Sequence, residues 1–218
     1  MVKARTAQAN QIRGLLHEFG ITLPQGIGYI AQRLPAILED GANGLPGILR
    51  KLLDRLFAHL GELERQVAEL EREIQSVHRA DDASRRLAEI PGIGPLTASA
   101  LLASIGQGSA FRNGRQLAAW IGLVPRQHST GGKATLLGIS KRGDAYLRTL
   151  FIHGARTLIR HWEHKTGREN SWLTHLLRRR NKNVATVALA NRNARIAWAL
   201  LAHGRRFDPG YASARLAA

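Results

Sequence analysis

Two adjacent hydroxyl residues, Ser129 and Thr130, stand in a stretch of sequence that is dense in positive charge. The cations of residues 118–148 are Arg126, Lys133, Lys141, Arg142 and Arg148. No acidic residue occurs between Glu89 and Asp144. Hydroxyl groups held among cations can contact a phosphodiester backbone or attack it, because the positive charges attract and orient the anion. The alternative is a polar surface loop that binds nothing.

Glycines follow the two hydroxyl residues directly, at Gly131 and Gly132. Glycine allows the main chain to turn sharply and to approach a ligand closely. The segment 122–138 is therefore predicted to form a β-turn or a short hairpin around these glycines.

Net charge is distributed very unevenly along the 218 residues. The formal charge is +16, and the isoelectric point is about 11.5. Residues 1–89 contain 12 basic and 12 acidic residues, whereas residues 90–218 contain 20 basic residues and only 4 acidic ones. An excess of this size predicts a polyanionic partner, most often nucleic acid. The asymmetry predicts a neutral assembly module joined to a polyanion-binding module.

The elements that must position the hydroxyl residues are predicted to be helices. The fold is predicted to be mainly α: a long coiled-coil helix, then a compact helical domain with a helix-hairpin-helix-like motif and a Gly-rich loop or short hairpin. Three parts are expected, an N-terminal helical and linker segment (1–46), a coiled-coil helix (47–80) and a basic nucleic-acid-binding domain (81–218). The helices are predicted near residues 3–18, 29–39, 47–79, 111–121, 145–162 and 184–202.

A heptad seam runs through the long helix. Apolar residues recur there at alternating spacings of four and three, at Leu49, Leu53, Leu56, Leu60, Leu63, Val67, Leu70, Ile74 and Val77. Such a period favours association between chains, so we expect a homo-oligomer that forms through this coiled coil. The alternative is a long helix that packs against its own domain.

The segment AEIPGIGPLTASALL, residues 88–102, resembles a helix-hairpin-helix. In such a motif a glycine turn exposes backbone N–H groups at the start of the second helix, where the helix dipole favours an anion. Gly92 and Gly94 are the predicted phosphate contacts, with Thr97 close by. A tight turn between two packed core helices is the alternative.

Several classes of site are disfavoured by what the sequence lacks. It has no cysteine, no HExxH-like pair of histidines and no P-loop, so we expect no metal site in this chain. No apolar run approaches the roughly 20 residues that a membrane helix needs, and the first residues lack the apolar core of a secretory signal. A cytoplasmic, nucleoid-associated protein is expected.

The segment PGIGPLTA and the block WIGLVPRQHSTGGKATLLGISKRGDAYLR, followed by LFIHGAR, resemble the C-terminal domain of the insertion-sequence transposases called IS one-ten and IS eleven-eleven, the DEDD transposases. The resemblance extends to VKARTAQANQIRGLLHEFGI and the heptad segment, which are similar to the middle of that family. It implies a recombinase that cuts and rejoins DNA under the guidance of a structured RNA. It also implies a ribonuclease-H-like domain whose four acids hold magnesium, and a nucleophilic serine in the C-terminal domain.

The sequence departs from the family pattern at the nucleophile. That serine lies in a Pro-x-x-x-x-Ser-Gly pattern, and counting from Pro125 places Thr130 at its position, with Ser129 directly before it. Either hydroxyl could attack, and Ser129 is slightly favoured because a primary hydroxyl is less hindered.

A second departure concerns the four acids, which the resemblance places in a domain preceding residue 1. We therefore expect that this chain itself binds no magnesium, and that alone it binds nucleic acid and dimerises but does not recombine DNA. The alternative function is a non-catalytic helix-hairpin-helix DNA-binding module, whose hydroxyl groups only hydrogen-bond to phosphates. A repair or junction-binding protein is a third possibility, but it would need a second such hairpin, which the sequence does not contain.

Overall fold

The computed structural model describes residues 1–131, 133–162 and 171–209, and the fold is mainly α, as predicted. The chain divides into two compact units, Met1–Glu73 and Ile74–Ala218. No helix in the described parts of the chain is both long and apolar enough to cross a membrane.

The first unit contains α1 (Val2–His17), α2 (Ile27–Glu39) and most of α3 (Gly47–Ala80). Its core combines Ile12 and Leu16 of α1 with Ile30 and Leu34 of α2, all 0% exposed. Three residues of the heptad seam complete this core, namely Leu49, Leu53 and Leu60. The first half of the seam therefore packs within its own chain.

Beyond Val67, which is 5% exposed, the seam becomes more accessible. Leu70 is 44% exposed and Val77 is 62% exposed. Large apolar side chains at these levels of exposure leave an apolar strip at this end of α3.

The second unit gathers its helices around α9 (Lys182–His203). Packed on α9 are α4 (Asp82–Ala88), α6 (Gly114–Ile121), α7 (Ala145–Trp162) and α8 (Trp172–Arg179), while α5 (Pro95–Ile105) packs on α4 and α7. The buried face of α9 is rich in alanine, at Ala185, Ala190, Ala194 and Ala197. Small side chains let the neighbouring helices come close to the α9 backbone.

Glycines permit two further close approaches in this unit. A Cβ atom added to Gly154 of α7 would lie 1.8 Å from the carbonyl oxygen of Gly92, and one added to Gly114 of α6 would lie 2.8 Å from the Cα atom of Arg195. Neither position has room for a side chain, so backbone packs directly on backbone here.

Between α6 and α7 the chain forms the two strands of a small antiparallel sheet, β1 (Pro125–Thr130) and β2 (Lys133–Ile139). This hairpin carries both of the adjacent hydroxyl residues, Ser129 and Thr130.

Candidate nucleic-acid interface

The hairpin confirms the predicted turn at the glycines. Thr130 pairs with Lys133, so the connection between the strands consists of residues 131 and 132. Gly131 has a φ of +57°, in the left-handed region that tight hairpin turns require. The glycines of the turn therefore determine the element that presents the hydroxyl residues.

The strand register separates the two hydroxyl positions. Ser129 pairs with Ala134, and Thr130 pairs with Lys133. Because successive residues of a strand alternate between its two faces, the positions of Ser129 and Thr130 belong to opposite faces of the hairpin. Thr130 shares its face with His128 and the cross-strand partner of His128, Thr135.

The position of Ser129 falls on the other face of the hairpin with Gln127 and with Leu136, which is 67% exposed. The face of Thr130 also carries an exposed leucine, because Leu137 is 46% exposed and lies two residues from Thr135. His128, Thr130 and Thr135 are exposed as well, so the face that carries the Thr130 hydroxyl is open to a ligand. His128 and Thr135 were not among the predicted site residues, although two-residue periodicity along each strand would have indicated them.

The base of the hairpin is held rigidly to α6 and α7. The Ser140 N–H donates to the carbonyl oxygen of Val124 at 2.8 Å, and the Lys141 N–H donates to that of Gly122 at 3.2 Å. Arg148 Nη1 of α7 donates to the carbonyl oxygens of Ile121, at 2.9 Å, and of Arg142, at 3.4 Å. The predicted phosphate contact Arg148 is thus half-buried and stabilises the backbone beneath the hairpin.

Close packing reinforces this attachment at Gly143. A Cβ atom added there would lie 1.7 Å from the carbonyl oxygen of Trp120, and the φ of Gly143 is +86°. The next residue, Asp144, accepts from the Leu147 N–H at 2.8 Å through its side chain and so caps α7. An acid at this helix start also complements the helix dipole.

Three of the predicted cations project freely near the hairpin. Arg126, Lys141 and Arg142 are exposed, and no acidic side chain in the described ranges pairs with any of them. Lys133 pairs with Thr130 through the strand backbone, whereas its side chain and residue Gly132 lie outside the described parts. Arg126 lies near the start of β1, and Lys141 and Arg142 follow β2, so this unpaired charge collects at the base of the hairpin, with Thr130 at its turn. Such uncompensated positive charge attracts phosphate groups.

The connection between α4 and α5 holds the other predicted contacts. Gly92 has a φ of +91° and packs against Gly154, and Asn193 Nδ2 donates to the carbonyl oxygen of Pro91 at 2.8 Å. Thr97 is only 6% exposed, so its hydroxyl lies within the unit rather than at its surface. Gly94, the residue that precedes α5, is exposed. Of the three predicted residues, Gly94 is thus the one best placed to meet a ligand.

A further basic feature joins α8 and α9. The guanidinium group of Arg192 lies 4.7 Å from the ring centroid of Trp172, a favourable cation–π arrangement. Burial lowers the pKa of Arg192 from its usual value, and the positive charge of Arg195 lowers it further. Arginine nevertheless stays protonated at neutral pH, because its usual pKa lies far above neutrality.

No three His, Asp or Glu side chains in the part of the chain that the structure describes come together in a way that could hold a metal ion. These residues therefore offer donors to phosphate groups but no acidic set suited to magnesium.

Comparison with known proteins shows that the chain is similar to insertion-sequence transposases. The sequence profile described as "Transposase IS116/IS110/IS902 family" matches residues 84–170, a range that includes the hairpin. A probable family 20 transposase of Pseudomonas aeruginosa is 50% identical over 211 residues, covering 96% of this chain and 62% of that protein.

Two further transposases also match nearly the whole of this chain. The transposase of insertion sequence element IS1111A from Coxiella burnetii is 47% identical, over 96% of this chain and 58% of its own length. The transposase of element IS1328 from Yersinia enterocolitica is 44% identical, over 95% of this chain and 61% of its own length. The chain therefore spans about three fifths of the length of these relatives.

Proposed function

The chain belongs to the IS116/IS110/IS902 family of insertion-sequence transposases, and we propose that it binds nucleic acid and supplies a nucleophilic hydroxyl for cutting and rejoining DNA. One observation carries this proposal: the exposed Thr130 lies on a hairpin whose base is hydrogen-bonded to α7 through Arg148 and bears cations that pair with no acidic side chain among the described residues. Its partners are DNA and a structured guide RNA, and it acts at the bacterial nucleoid in the cytoplasm.

Thr130 is the proposed nucleophile. It occupies the position of the family's serine when counted from Pro125, and it shares an exposed face of the hairpin with His128 and Thr135. The position of Ser129 belongs to the other face. We give the count from Pro125 more weight than the lower steric hindrance of a primary hydroxyl.

The proposed chemistry is an exchange of phosphate esters. The Thr130 oxygen forms a bond to phosphorus, one P–O bond to the neighbouring nucleotide breaks, and the departing sugar oxygen takes up a proton. A threonine hydroxyl needs activation at neutral pH. We assign this activation to an acidic, magnesium-binding part of the complete transposase, and we expect no recombination by the 218 residues alone.

The binding part of this proposal is tested by salt dependence. Each phosphate neutralised by a cation releases counterions, so the observed binding constant for a DNA duplex should fall about 10³-fold or more between 50 and 200 mM salt if six or more phosphates are contacted. Fluorescence anisotropy of a labelled duplex with the full chain measures this. Absence of binding at 50 mM salt, or binding that is indifferent to salt, would contradict the proposal.

A matched pair of variants locates the contact. R126Q/R142Q removes two exposed cations beside the hairpin, whereas R55Q/R72Q removes two exposed cations from α3 in the neutral first unit. Both pairs lower the net charge by the same amount. We expect only the first pair to reduce the salt dependence, because only those cations lie where a phosphate is proposed to bind.

The competing function is a non-catalytic binding module centred on the turn between α4 and α5. It is favoured by Gly94, which is exposed where α5 begins. This alternative predicts that removal of either hydroxyl leaves strand exchange by the complete transposase unchanged, so alanine substitution at Thr130 and Ser129 separates the two functions.

We further propose that the exposed end of α3 pairs with a second copy of the chain. Leu70 and Val77 continue the heptad spacing and are substantially exposed. Burial of a leucine or valine contributes about 1.5–3 kcal/mol, and a dimer would bury two such residues from each chain.

The variant L70E/V77E is expected to raise the dimer dissociation constant by at least about 100-fold, because four apolar side chains per dimer are lost and like charges are introduced. Sedimentation velocity over a concentration series measures this constant. The control A68E/S76E introduces the same charges at exposed α3 positions outside the seam. A parent chain that remains monomeric throughout the series would contradict the proposal.

A further inference from the structure

A basic cavity lies between α7 and the start of α9, at positions that the motif-based predictions did not include. It has a volume of about 290 Å³ and is lined by Arg156, Ile159, Arg160, Lys182, Asn183 and Thr186. The three α7 residues come from one helix face, because they are spaced by three and four. The cavity joins positions more than twenty residues apart in sequence.

Two of the cations that line this cavity have no partner among the described residues. Arg156 and Arg160 are both exposed, and neither is paired with an acidic side chain or hydrogen-bonded to a described residue. Like charges four residues apart on a helix repel one another. An anion bound between the two guanidinium groups would remove that repulsion, and guanidinium groups match phosphate oxygens in a fork-like geometry.

The remaining lining residues define the other walls. Ile159 is 3% exposed and forms an apolar wall, and the Thr186 hydroxyl donates to the carbonyl oxygen of Lys182 at 2.8 Å. Asn183 is exposed in the first turn of α9 and can donate from its side-chain amide. The positive end of the dipole of this 22-residue helix adds to the attraction for an anion.

We propose that this cavity binds a backbone phosphate of nucleic acid at a second point, separate from the hairpin. This inference rests on the proposed function, since it assumes a nucleic-acid ligand. At a rise of about 1.5 Å per residue, Arg156 and Arg160 lie roughly 12 and 18 Å along α7 from Arg148, which supports the base of the hairpin. The cavity thereby fixes the direction of the strand relative to the hairpin.

The test replaces both arginines in the full chain. R156Q/R160Q is expected to weaken binding to nucleic acid about tenfold, the effect of losing a charge-assisted contact, and to reduce the slope of log K against log salt by about one. R156K/R160K keeps the charge and should keep the parent slope. An unfolding temperature equal to that of the parent chain would show that each variant is folded.

Two controls make the outcome decisive. R55Q/R72Q lowers net charge by the same amount on α3 and should leave the slope unchanged. The slope is measured in parallel with a DNA duplex and with an RNA hairpin. A lower slope with only one of them assigns the phosphate to that ligand, and a lower slope with both shows that the cavity accepts either. A folded R156Q/R160Q variant with the parent slope on both ligands would overturn the inference.

The parent chain separates this inference from the proposed function. If the parent binds neither DNA nor RNA, both are wrong. If the parent binds steeply with salt while R156Q/R160Q matches it, only the second phosphate site is wrong.

Discussion

Replacing Thr130 by alanine is expected to lower DNA strand exchange by at least about 10³-fold while leaving nucleic-acid affinity unchanged, because the substitution removes the attacking oxygen but no charge. The assay uses a chimera that joins this chain to the segment of the Coxiella burnetii relative that it does not match, with donor and target DNA and guide RNA. Product formation is measured in single turnover, so that slow product release does not hide the loss.

Two matched variants serve as controls for this result. T130S restores a hydroxyl at the same register position and should be at least as active as the parent. S129A removes the neighbouring hydroxyl and should retain most of the activity, because position 129 belongs to the opposite face of the hairpin. If S129A is inactive and T130A active, the attacking group is Ser129; if both are active, the chain supplies no nucleophile.

Replacing Gly154 by alanine is expected to destabilise the second unit by about 3 kcal/mol, near the upper end of the usual cost of overpacking. A Cβ atom at this position would lie 1.8 Å from the carbonyl oxygen of Gly92. The collision is with backbone, and the hydrogen bond from Asn193 to Pro91 also holds this turn in place. The helix or the turn must therefore move.

Fluorescence-detected chemical denaturation measures this effect in the second unit, since all four tryptophans lie beyond residue 74. Gly61→Ala is the control, because Gly61 lies inside α3 with no atom within 4 Å of an added Cβ. It should stabilise its helix by about 0.5–1 kcal/mol through lower backbone entropy, without lowering the tryptophan transition. A G154A chain with the parent's unfolding midpoint would show that the close packing of α7 against the turn is wrong.

The helices and the hairpin could be predicted because their signals are local. The α7 helix was predicted at residues 145–162 and spans Ala145–Trp162, while α9, predicted at 184–202, spans Lys182–His203. Regular apolar spacing in α7, alanine in α9 and the paired glycines at the hairpin turn each act within a few residues. The predicted mainly α fold with a short hairpin follows from these signals.

Other features depend on tertiary contacts that local patterns do not contain. Arg148 reads as one cation among several, yet its guanidinium group supports the carbonyl oxygens of Ile121 and Arg142. Thr97 reads as a polar residue near a turn, yet it is buried. In α3 the same period is typical both of burial within a unit and of pairing between chains, so the buried Leu53 and the exposed Leu70 could not be distinguished from the sequence.

The cavity between α7 and α9 illustrates the same limit. Arg156 and Arg160 are visible in the sequence as cations of a helix, but nothing local indicates that Lys182 and Asn183 lie opposite them. Such sites emerge only when distant segments are packed together, here through the alanine-rich face of α9.

The most direct test is to trap the covalent intermediate and locate its attachment. Suicide DNA substrates that lose the departing strand would capture the protein–DNA adduct formed by the chimera, and peptide mass spectrometry would identify the modified residue. We predict a phosphate ester on Thr130. An adduct on any other residue, or strand exchange that proceeds without any protein–DNA adduct, would contradict the assignment of this hydroxyl as the nucleophile.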